Sequence, residues 1–349
     1  MPSLVRLDAP PARPDATTMT EPLKAFYDQD ADLDLIRGKR VGIIGYGSQG
    51  KTQALNLRDS GVTDIFIGVR EGKSADAARD SGFEVVSVRE AAGRAQVLAL
   101  LTSDEAHRDL YRDEIAPALQ PGSTVVFAHG LSVRFGLVEP AKNLDVVLCS
   151  PKGIGPRIRE LYLRGEGVFG LVGVHQDASG EALDTALSFG SALGCGRKGM
   201  LLTTLKDECE SDLFAEQVVL CGGTMELVHK GFETLVNAGY PPEVAWFETF
   251  YELKLVVDLM VDLGIAGAFG KISNTAEFGA YETAPRVIGA PAIAEMEDIL
   301  KGVRDGSFVK RLMADYDKGF PQLLADRAKL AEHPIEAAGR RLKETASKA

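Results

Sequence analysis

The sequence of 349 residues is poor in cysteine and in positive charge. Its four cysteines, Cys149, Cys195, Cys209 and Cys221, have neither the paired spacing of a zinc site nor the density of a disulfide framework, so we expect free thiols in a reducing compartment. The formal charge of −11 argues against a general nucleic-acid or anionic-membrane surface. No run is apolar enough for a transmembrane helix, and no signal-peptide core is present. We therefore expect a cytoplasmic protein whose partners are small molecules or proteins.

The distribution of apolar residues predicts two domains. Hydrophobic residues make up 45% of the chain and charged residues 26%, which is typical of a globular protein with a sizeable core. Residues 1–20 are rich in proline, alanine and aspartate and are predicted to be disordered. Strand-like and helical sequence alternates over residues 21–203, whereas residues 204–349 read as long helices. We expect a nucleotide-binding domain followed by an all-helical domain.

A glycine-rich motif lies between the first predicted strand and a helix. In Gly45-x-Gly47-x-x-Gly50, the first glycine permits a tight turn, the second lets a pyrophosphate approach the backbone, and the third lets helix and strand pack closely. Amides at the helix N-terminus then face the phosphates. The motif predicts a dinucleotide site made of Gly45, Tyr46, Gly47, Ser48, Gln49 and Gly50.

The loop after the second predicted strand bears on the choice of cofactor. In folds of this type an acid in this loop favours NAD and basic groups favour NADP. Arg70, Lys73 and Ser74 can bind a 2′-phosphate by charge and hydrogen bonding, so NADPH is the predicted cofactor. Glu71 and Asp76 lie in the same loop, and a merely solvated charged turn is the alternative.

Further strand-like runs predict a Rossmann-like, doubly wound parallel sheet of the α/β class. They lie at residues 83–88, 96–101, 124–127, 146–149 and 168–174. Ligands of such sheets bind at the carboxyl ends of the strands. Two of these ends carry His129 and Lys152, which makes both loops candidates for the site, although each segment is also compatible with an ordinary turn.

Two pairs of carboxylates occur at helical spacing in largely apolar sequence. Asp212 and Glu216 are four residues apart, as are Glu248 and Glu252, so each pair shares one face of a helix. Either pair alone is compatible with a solvated surface. The second pair interrupts the apolar run 244–257, however, which predicts a buried helix carrying acids. Because buried carboxylates need positive compensation and hard divalent cations take oxygen ligands, we expect a magnesium site.

Taken in order, these motifs resemble those of the ketol-acid reductoisomerases, also called acetohydroxyacid isomeroreductases. The resemblance covers about residues 22–344 and includes DADLDLIRGKRVGIIGYGSQG, HG, PKG, DASG, DECESDLFAEQVVLCGG, ETFYELKLVVDLM, ISNTAEFG and HPIEAAGRRL. Such a collinear set is far more specific than the glycine motif alone. The length and the single helical domain resemble the short, class I form of the family.

The resemblance implies a composite site in an intertwined, knotted homodimer. It implies two Mg²⁺ ions held by Asp212 and Glu216, with Glu248 and Glu252 supplied by the other subunit. Glu252 would help the proton movements, while His129 and Lys152 would line the space between nicotinamide and metals. The residues implied to contact the substrate are Ser273, which would bind its carboxylate, and Cys221, Ile272, Ala276 and Ile154 on the wall.

The implied reaction combines an isomerisation with a reduction. A 2-hydroxy-2-acyl acid such as 2-acetolactate loses its hydroxyl proton, an alkyl group migrates to the neighbouring carbonyl carbon, and the resulting 2-keto acid receives hydride from NADPH. Divalent ions suit this chemistry because they polarise vicinal oxygens. The product is a 2,3-dihydroxy acid, as in valine and isoleucine biosynthesis.

Several wall positions depart from the family pattern. Ile154 stands where proline is usual, Tyr251 replaces histidine, and Leu202 and Lys271 also differ. These changes leave open a specialised paralogue of secondary metabolism that acts on a different 2-hydroxy-3-keto acid. Two further alternatives are a metal-independent NADP-linked hydroxyacid dehydrogenase and a non-catalytic cofactor-binding protein. Retention of all four acids and of Lys152 argues against both.

Overall fold

The computed structural model describes residues 23–346, so the predicted disordered segment 1–20 lies outside the described residues. Its nine strands are β1 Ala25–Phe26, β2 Val41–Ile44, β3 Ile65–Gly68, β4 Glu84–Val86, β5 Val97–Leu100, β6 Thr124–Phe127, β7 Asp145–Pro151, β8 Gly170–Gln176 and β9 Met200–Leu202. They form one sheet in the order β1-β9-β8-β7-β6-β5-β2-β3-β4.

The sheet confirms the Rossmann-like fold class but is mixed. All neighbouring strands from β4 across to β7 pair in parallel, and so do β8 and β9. Strand β8 runs antiparallel to β7, and β1 runs antiparallel to β9. The sequence pattern missed β1 and β9 because strands of two and three residues are too short to display alternation.

Eight helices accompany the strands in the described part of the nucleotide-binding half: α1 Leu33–Arg37, α2 Ser48–Asp59, α3 Lys73–Asp80, α4 Val88–Arg94, α5 Asp104–Leu110, α6 Leu131–Arg134, α7 Gly155–Leu163 and α8 Ala182–Ala192. Strands such as β2, β5 and β6 are buried along their whole length, as expected for a parallel sheet covered on both faces. Two apolar clusters result, one around Ile43 and one around Phe66 and Phe127.

The remainder of the described chain is helical. It comprises α9 Leu205–Ala215, α10 Gly222–Asn237, α11 Pro242–Trp246, α12 Glu252–Phe269, α13 Asn274–Val287, α14 Ala290–Arg304, α15 Ser307–Tyr316, α16 Pro321–Ala331 and α17 Pro334–Ala346. Helix α12 is kinked at Gly264, whose φ of 74° and ψ of 160° are not helical. A third apolar cluster joins the halves, because Leu131 of α6 packs with Cys209 and Leu213 of α9.

The helical half leaves much of its apolar surface open to solvent. Most of the exposed large apolar side chains among the described residues fall between positions 219 and 293, including Phe247, Phe250 and Leu255, which are 43%, 48% and 52% exposed. The prediction of a buried acid-bearing helix is therefore wrong for the single chain. None of the helices within residues 23–346 is long and apolar enough to cross a membrane.

Candidate active site

The glycine turn after β2 has the shape that a dinucleotide requires. Gly45 has a φ of 97°, which favours glycine. A Cβ atom on Gly50 would lie 2.2 Å from the carbonyl oxygen of Gly45, so helix and turn meet only because Gly50 has no side chain. A Cβ on Gly47, in contrast, would meet no atom within 4 Å. The open space at Gly47 fits the close approach of a pyrophosphate.

The carboxyl ends of β6 and β7 bring His129 and Lys152 to the first helix of the helical half. Lys152 Nζ lies 2.9 Å from Asp212 Oδ1, and His129 Nδ1 lies 3.6 Å from Asp212 Oδ2. Helix α9 begins at Leu205 and is capped by Thr204, whose side chain accepts a hydrogen bond from the amide of Asp207. Three residues identified from the sequence therefore meet in one place.

A fourth residue, Glu208, occupies the centre of this cluster and was not identified from the sequence. Its carboxylate is 1% exposed and accepts four hydrogen bonds. Ser150 Oγ and Lys152 Nζ donate to Oε1 at 3.0 and 2.8 Å, while His129 Nδ1 and the Gly130 amide donate to Oε2 at 3.0 and 2.9 Å. Both oxygens are fully used, so Glu208 orients Lys152 and His129 instead of offering a free ligand atom.

The sequence did contain a signal for Glu208. It precedes Asp212 by four residues, just as Asp212 precedes Glu216, so three acids lie along one face of the helix. Three acids on one face of a helix are less typical of an ordinary solvated surface than two acids are.

The charged residues of this cluster shift one another's pKa values. Burial alone would lower the pKa of His129, but its contacts with Cys209 and Glu208 raise that pKa to about 11. Burial likewise opposes the charge on Glu208, yet His129 and Lys152 lower its pKa to about 2. Lys152 has a raised pKa because Glu208 and Asp212 outweigh the effect of burial. The resting cluster thus holds two cationic side chains against carboxylates.

Replacing Glu208 by glutamine should destabilise the metal-free protein. Because Lys152 and His129 would lose their buried counter-charge, we expect a loss of about 3 kcal/mol in the free energy of unfolding at pH 7. The Glu208 pKa is about 2 in the fold against an ordinary 4.5, so this stabilisation is fully present above pH 4.5 and disappears as the pH falls through about 2.

Urea unfolding of both proteins in EDTA, at a series of pH values, checks this expectation. The difference between wild type and Glu208→Gln should narrow steadily between pH 4.5 and pH 2. Glu139→Gln, at an exposed glutamate that precedes β7, is a control that should leave the curve unchanged. A difference that stays constant across this range would show that the Glu208 charge is not what stabilises the fold.

Each acid pair spans the junction between an α-helix and a π-helical turn. Asp212 lies in α9, and Glu216 opens the π turn Glu216–Leu220; Glu248 lies in the π turn Phe247–Tyr251, and Glu252 opens α12. Such turns re-aim side chains and are frequent at functional sites. Burial and the neighbouring charge of Asp212 raise the pKa of Glu216. Asp212 and Glu216 thus repel one another, and a cation between them would relieve that repulsion.

The donor set fits a hard divalent cation. Within residues 23–346, ligand atoms of His129, Glu208 and Asp212 lie within 4.8 Å of one another. Because Glu208 is saturated, His129 is protonated and Asp212 Oδ1 accepts from Lys152, the donors left for a metal are Asp212 Oδ2 and the Glu216 carboxylate. Carboxylate oxygens are ligands that Mg²⁺ prefers.

The single chain does not complete the expected site. Glu248 and Glu252 are exposed, and among the described residues no hydrogen bond or ion pair joins either of them to Asp212 or Glu216. Ser273 caps α13, its side chain accepting a hydrogen bond from the amide of Ala276 at 3.2 Å. The positions expected on the substrate wall are exposed or half-buried: Cys221, Ile272, Ala276 and Ile154.

In the loop after β3, the acidic side chains are paired with Arg79, whereas two basic side chains have no partner within the described part of the chain. Arg79 binds Glu71 through two hydrogen bonds, the shorter 2.5 Å long, and lies 3.5 Å from Asp76. Arg70 and Lys73 are exposed and have neither a hydrogen bond nor an ion pair within the described part of the chain. Ser74 follows Lys73 in the first turn of α3. The free cations and the helix N-terminus can receive an anion.

Comparison with known proteins extends over both halves of the chain. Residues 35–199 match a family model described as acetohydroxy acid isomeroreductase, NADPH-binding domain, and residues 205–348 match one described as ketol-acid reductoisomerase, C-terminal domain. A solved NADH-preferring ketol-acid reductoisomerase from an uncultured archean is 39% identical, with a TM-score of 0.89 over 92% of this chain and 99% of that chain.

More distant structures share the fold alone. A semialdehyde dehydrogenase NAD-binding protein from Cupriavidus necator is 19% identical, with a TM-score of 0.57 over 76% of this chain and 99% of its own. A pyrroline-5-carboxylate reductase from Coxiella burnetii is 14% identical, with a TM-score of 0.52 over 76% of this chain and 96% of its own. At these identities the likeness concerns the nucleotide-binding architecture and not the reaction.

Proposed function

This chain belongs to the ketol-acid reductoisomerase family, and from that membership and the geometry above we propose how its residues perform the reaction. The protein is a nicotinamide-dependent reductoisomerase of branched-chain amino-acid biosynthesis, which converts a 2-hydroxy-2-acyl acid such as 2-acetolactate into a 2,3-dihydroxy acid. The assignment of roles rests on one observation, that Lys152, Asp212 and Glu208 meet at the carboxyl edge of the sheet. The glycine motif adjoins this edge, because Gln49 Nε2 donates to the carbonyl oxygen of Gly153 at 2.9 Å.

We assign Asp212 and Glu216 as the residues that hold two Mg²⁺ ions. The assignment is supported by the fit described above, in which Asp212 Oδ2 and the Glu216 carboxylate accept no hydrogen bond among the described residues, beside a saturated Glu208. When bound, the ions would polarise the hydroxyl and carbonyl oxygens of the substrate, and the nicotinamide cofactor would supply hydride. The division into residues 21–203 for the cofactor and 204–349 for metal and substrate is part of the same proposal.

A homodimer would complete the active site, because each site would then contain acids from both chains. Large exposed apolar patches mark protein interfaces, and the patch within residues 219–293 carries Glu248 and Glu252. A second copy that covers this surface would bury the apolar helix expected from the sequence and deliver both acids to the opposite site. Because C2 pairing is self-complementary, one such contact builds two equivalent sites.

The chain's own residues then move and place protons. Glu252 accepts the proton of the substrate C2 hydroxyl while the alkyl group leaves C2 for C3, and that proton returns to the oxygen on C3. Lys152 Nζ, held by Glu208 and Asp212, and protonated His129 face the developing negative charge as donors. Glu208 keeps both cations in place throughout.

The substrate wall belongs to the proposal as well. Ser273, at the N-terminus of α13, would hydrogen-bond the substrate carboxylate, whose charge the helix dipole also favours. Cys221, Ile272 and Ala276 would contact the alkyl groups. Ile154 is 73% exposed, and a bound ligand would cover it. The four unpaired thiols favour a reducing cytoplasm.

NADPH should bind more tightly than NADH. Because Arg79 neutralises Glu71, Arg70 and Lys73 remain free for the 2′-phosphate, and we expect a preference of about tenfold or more in the dissociation constant. Fluorescence titration of both cofactors checks the preference. The double substitution Arg70→Ala and Lys73→Ala should weaken NADPH alone.

Lys142→Ala provides a control, since this exposed lysine precedes β7 at the amino end of the sheet. It should leave both dissociation constants unchanged. Equal affinity of the wild type for the two cofactors would overturn the assignment of Arg70, Lys73 and Ser74, and would make this chain similar to its NADH-preferring relative instead.

The proposed function is tested by following NADPH oxidation with 2-acetolactate and with 2-aceto-2-hydroxybutyrate, in Mg²⁺ and after chelation. Mg²⁺-dependent turnover of either substrate is the expected result. Absence of turnover with both, while Mg²⁺ and NADPH still bind, would contradict the branched-chain reaction and favour the specialised paralogue with a different 2-hydroxy-3-keto acid.

A further inference from the structure

The short helix α6 begins two residues after His129 and is anchored by a buried hydrogen bond outside the cluster already described. His107 Nδ1 lies 2.8 Å from Ser132 Oγ, and these residues are 2% and 0% exposed. His107 belongs to α5, which follows β5, whereas Ser132 belongs to α6, which follows β6. This one bond therefore ties together two neighbouring loops at the carboxyl edge of the sheet.

A histidine is a costly choice at this position if packing is its only task. Burial lowers the pKa of His107 to about 4, so the ring is neutral at physiological pH. Its Nε2 atom is buried and has no partner among the described residues. An apolar side chain of similar size would avoid that cost while still packing on Phe127, whose ring lies 6.0 Å away between centroids. The polar contact with Ser132 is what the histidine adds.

The opposite side of the same loop is fixed by the active-site cluster. The Gly130 amide donates to Glu208, and a Cβ on Gly130 would lie 2.2 Å from the carbonyl oxygen of Leu205, so backbone and α9 are in close contact. His129 thus sits on a loop held by Glu208 from one side and through Ser132 from the other. Asp104 Oδ1 is 3.9 Å from His107 Nδ1, beyond hydrogen-bond distance. The ring also interacts with the backbone of Thr102, so Ser132 is its side-chain partner.

We propose that His107 is a positioning residue for the reductoisomerase reaction, whose hydrogen bond to Ser132 fixes α6 and thereby the imidazole of His129. The proposal rests on the proposed function, because it takes His129 as part of the active site. His107 itself does not touch the reacting atoms. Its loss changes how well His129 is placed, and leaves the groups that bind metal and cofactor intact.

Four variants test this role: His107→Leu, Ser132→Ala, the double substitution, and His107→Gln, which can still hydrogen-bond to Ser132. We expect kcat to fall about tenfold in His107→Leu and in Ser132→Ala, because small displacements of a catalytic group are costly. The KM values should stay within about twofold, and the double variant should be no slower than His107→Leu, since both changes break one bond. His107→Gln should recover most of the activity. His175→Leu, at an exposed histidine of β8, is the matched control.

Amide hydrogen exchange supplies a readout that needs no substrate. Residues 129–134 should exchange faster in His107→Leu and Ser132→Ala than in the wild type, with the protection restored in His107→Gln, while β2 remains as protected as before. Unchanged exchange at 129–134, or additive losses of kcat in the double variant, would overturn the proposal. Faster exchange in β2 as well, without rescue by glutamine, would reduce His107 to a packing role. If the wild type turns over neither acyl-hydroxy acid, the proposed function fails while the exchange data still decide whether His107 fixes the loop.

Discussion

Asp212→Asn should abolish turnover while leaving the fold intact. The substitution keeps the shape of the side chain but removes the charge that we assign to the metal ions, and the loss of metal polarisation corresponds to a fall in kcat of about a thousandfold or more. Asp212 is a partner of Lys152 at 2.9 Å, yet Lys152 retains Glu208, so the cluster should survive. Steady-state NADPH oxidation with 2-acetolactate measures the effect.

The same variant should lose its thermal response to Mg²⁺. Binding to the native state raises the melting temperature of the wild type, because the ions relieve repulsion between Asp212 and Glu216. Asp207→Asn is a matched control, since Asp207 lies in the first turn of the same helix and is exposed. It should respond to Mg²⁺ like the wild type. Equal shifts in Asp212→Asn and in the wild type would remove Asp212 from the metal site.

Two inactive variants should restore activity when combined in one dimer. Asp212→Asn damages the site on its own subunit, whereas Glu252→Gln damages the site on the partner. A mixed dimer therefore contains one site with both changes and one site with neither. Random mixing after co-expression should return about a quarter of the wild-type activity, as expected for a symmetric dimer with two shared sites.

The matched control combines Asp212→Asn with Glu216→Gln. Both residues lie on the same side of the site, one in α9 and the other at the start of the following π turn, so every site in the mixed dimer keeps one damaged ligand. No activity should return. Recovery in this control, or its absence in the first mixture, would refute the division of the acids between two chains.

Much of the nucleotide-binding half could be derived from the sequence because its rules are local. The glycine motif sits in its required context, and the structure explains each of its glycines by a positive φ, an open space or a close approach. The placement of His129 beside Lys152 also followed, since the carboxyl ends of neighbouring parallel strands meet at one edge. The third component of the site, α9, could be recognised from the helical spacing of Asp212 and Glu216.

The remainder depended on contacts that no local pattern reveals. The apolar sequence around Glu248 indicates that this helix is buried in the assembled protein, but it does not indicate which chain covers the helix. The helix is therefore exposed in the single chain. His107 lies in the charged run SDEAHRDLY, where nothing signals that one histidine turns into the core. The spacing of the acids marks Glu208, but its role in orienting Lys152 and His129 follows only from its four donors, which come from β7 and from the loops after β6 and β7.

The most direct test of the central claim is the structure of the product formed from 2-acetolactate and NADPH. Proton NMR distinguishes migration from simple reduction, because a migrated methyl group gives two methyl singlets on C3, whereas direct reduction of the ketone leaves one singlet on C2 and one doublet. A reductoisomerase gives 2,3-dihydroxy-3-methylbutanoate, and this is the product we expect. Accumulation of 2,3-dihydroxy-2-methylbutanoate would identify a simple dehydrogenase and contradict the account.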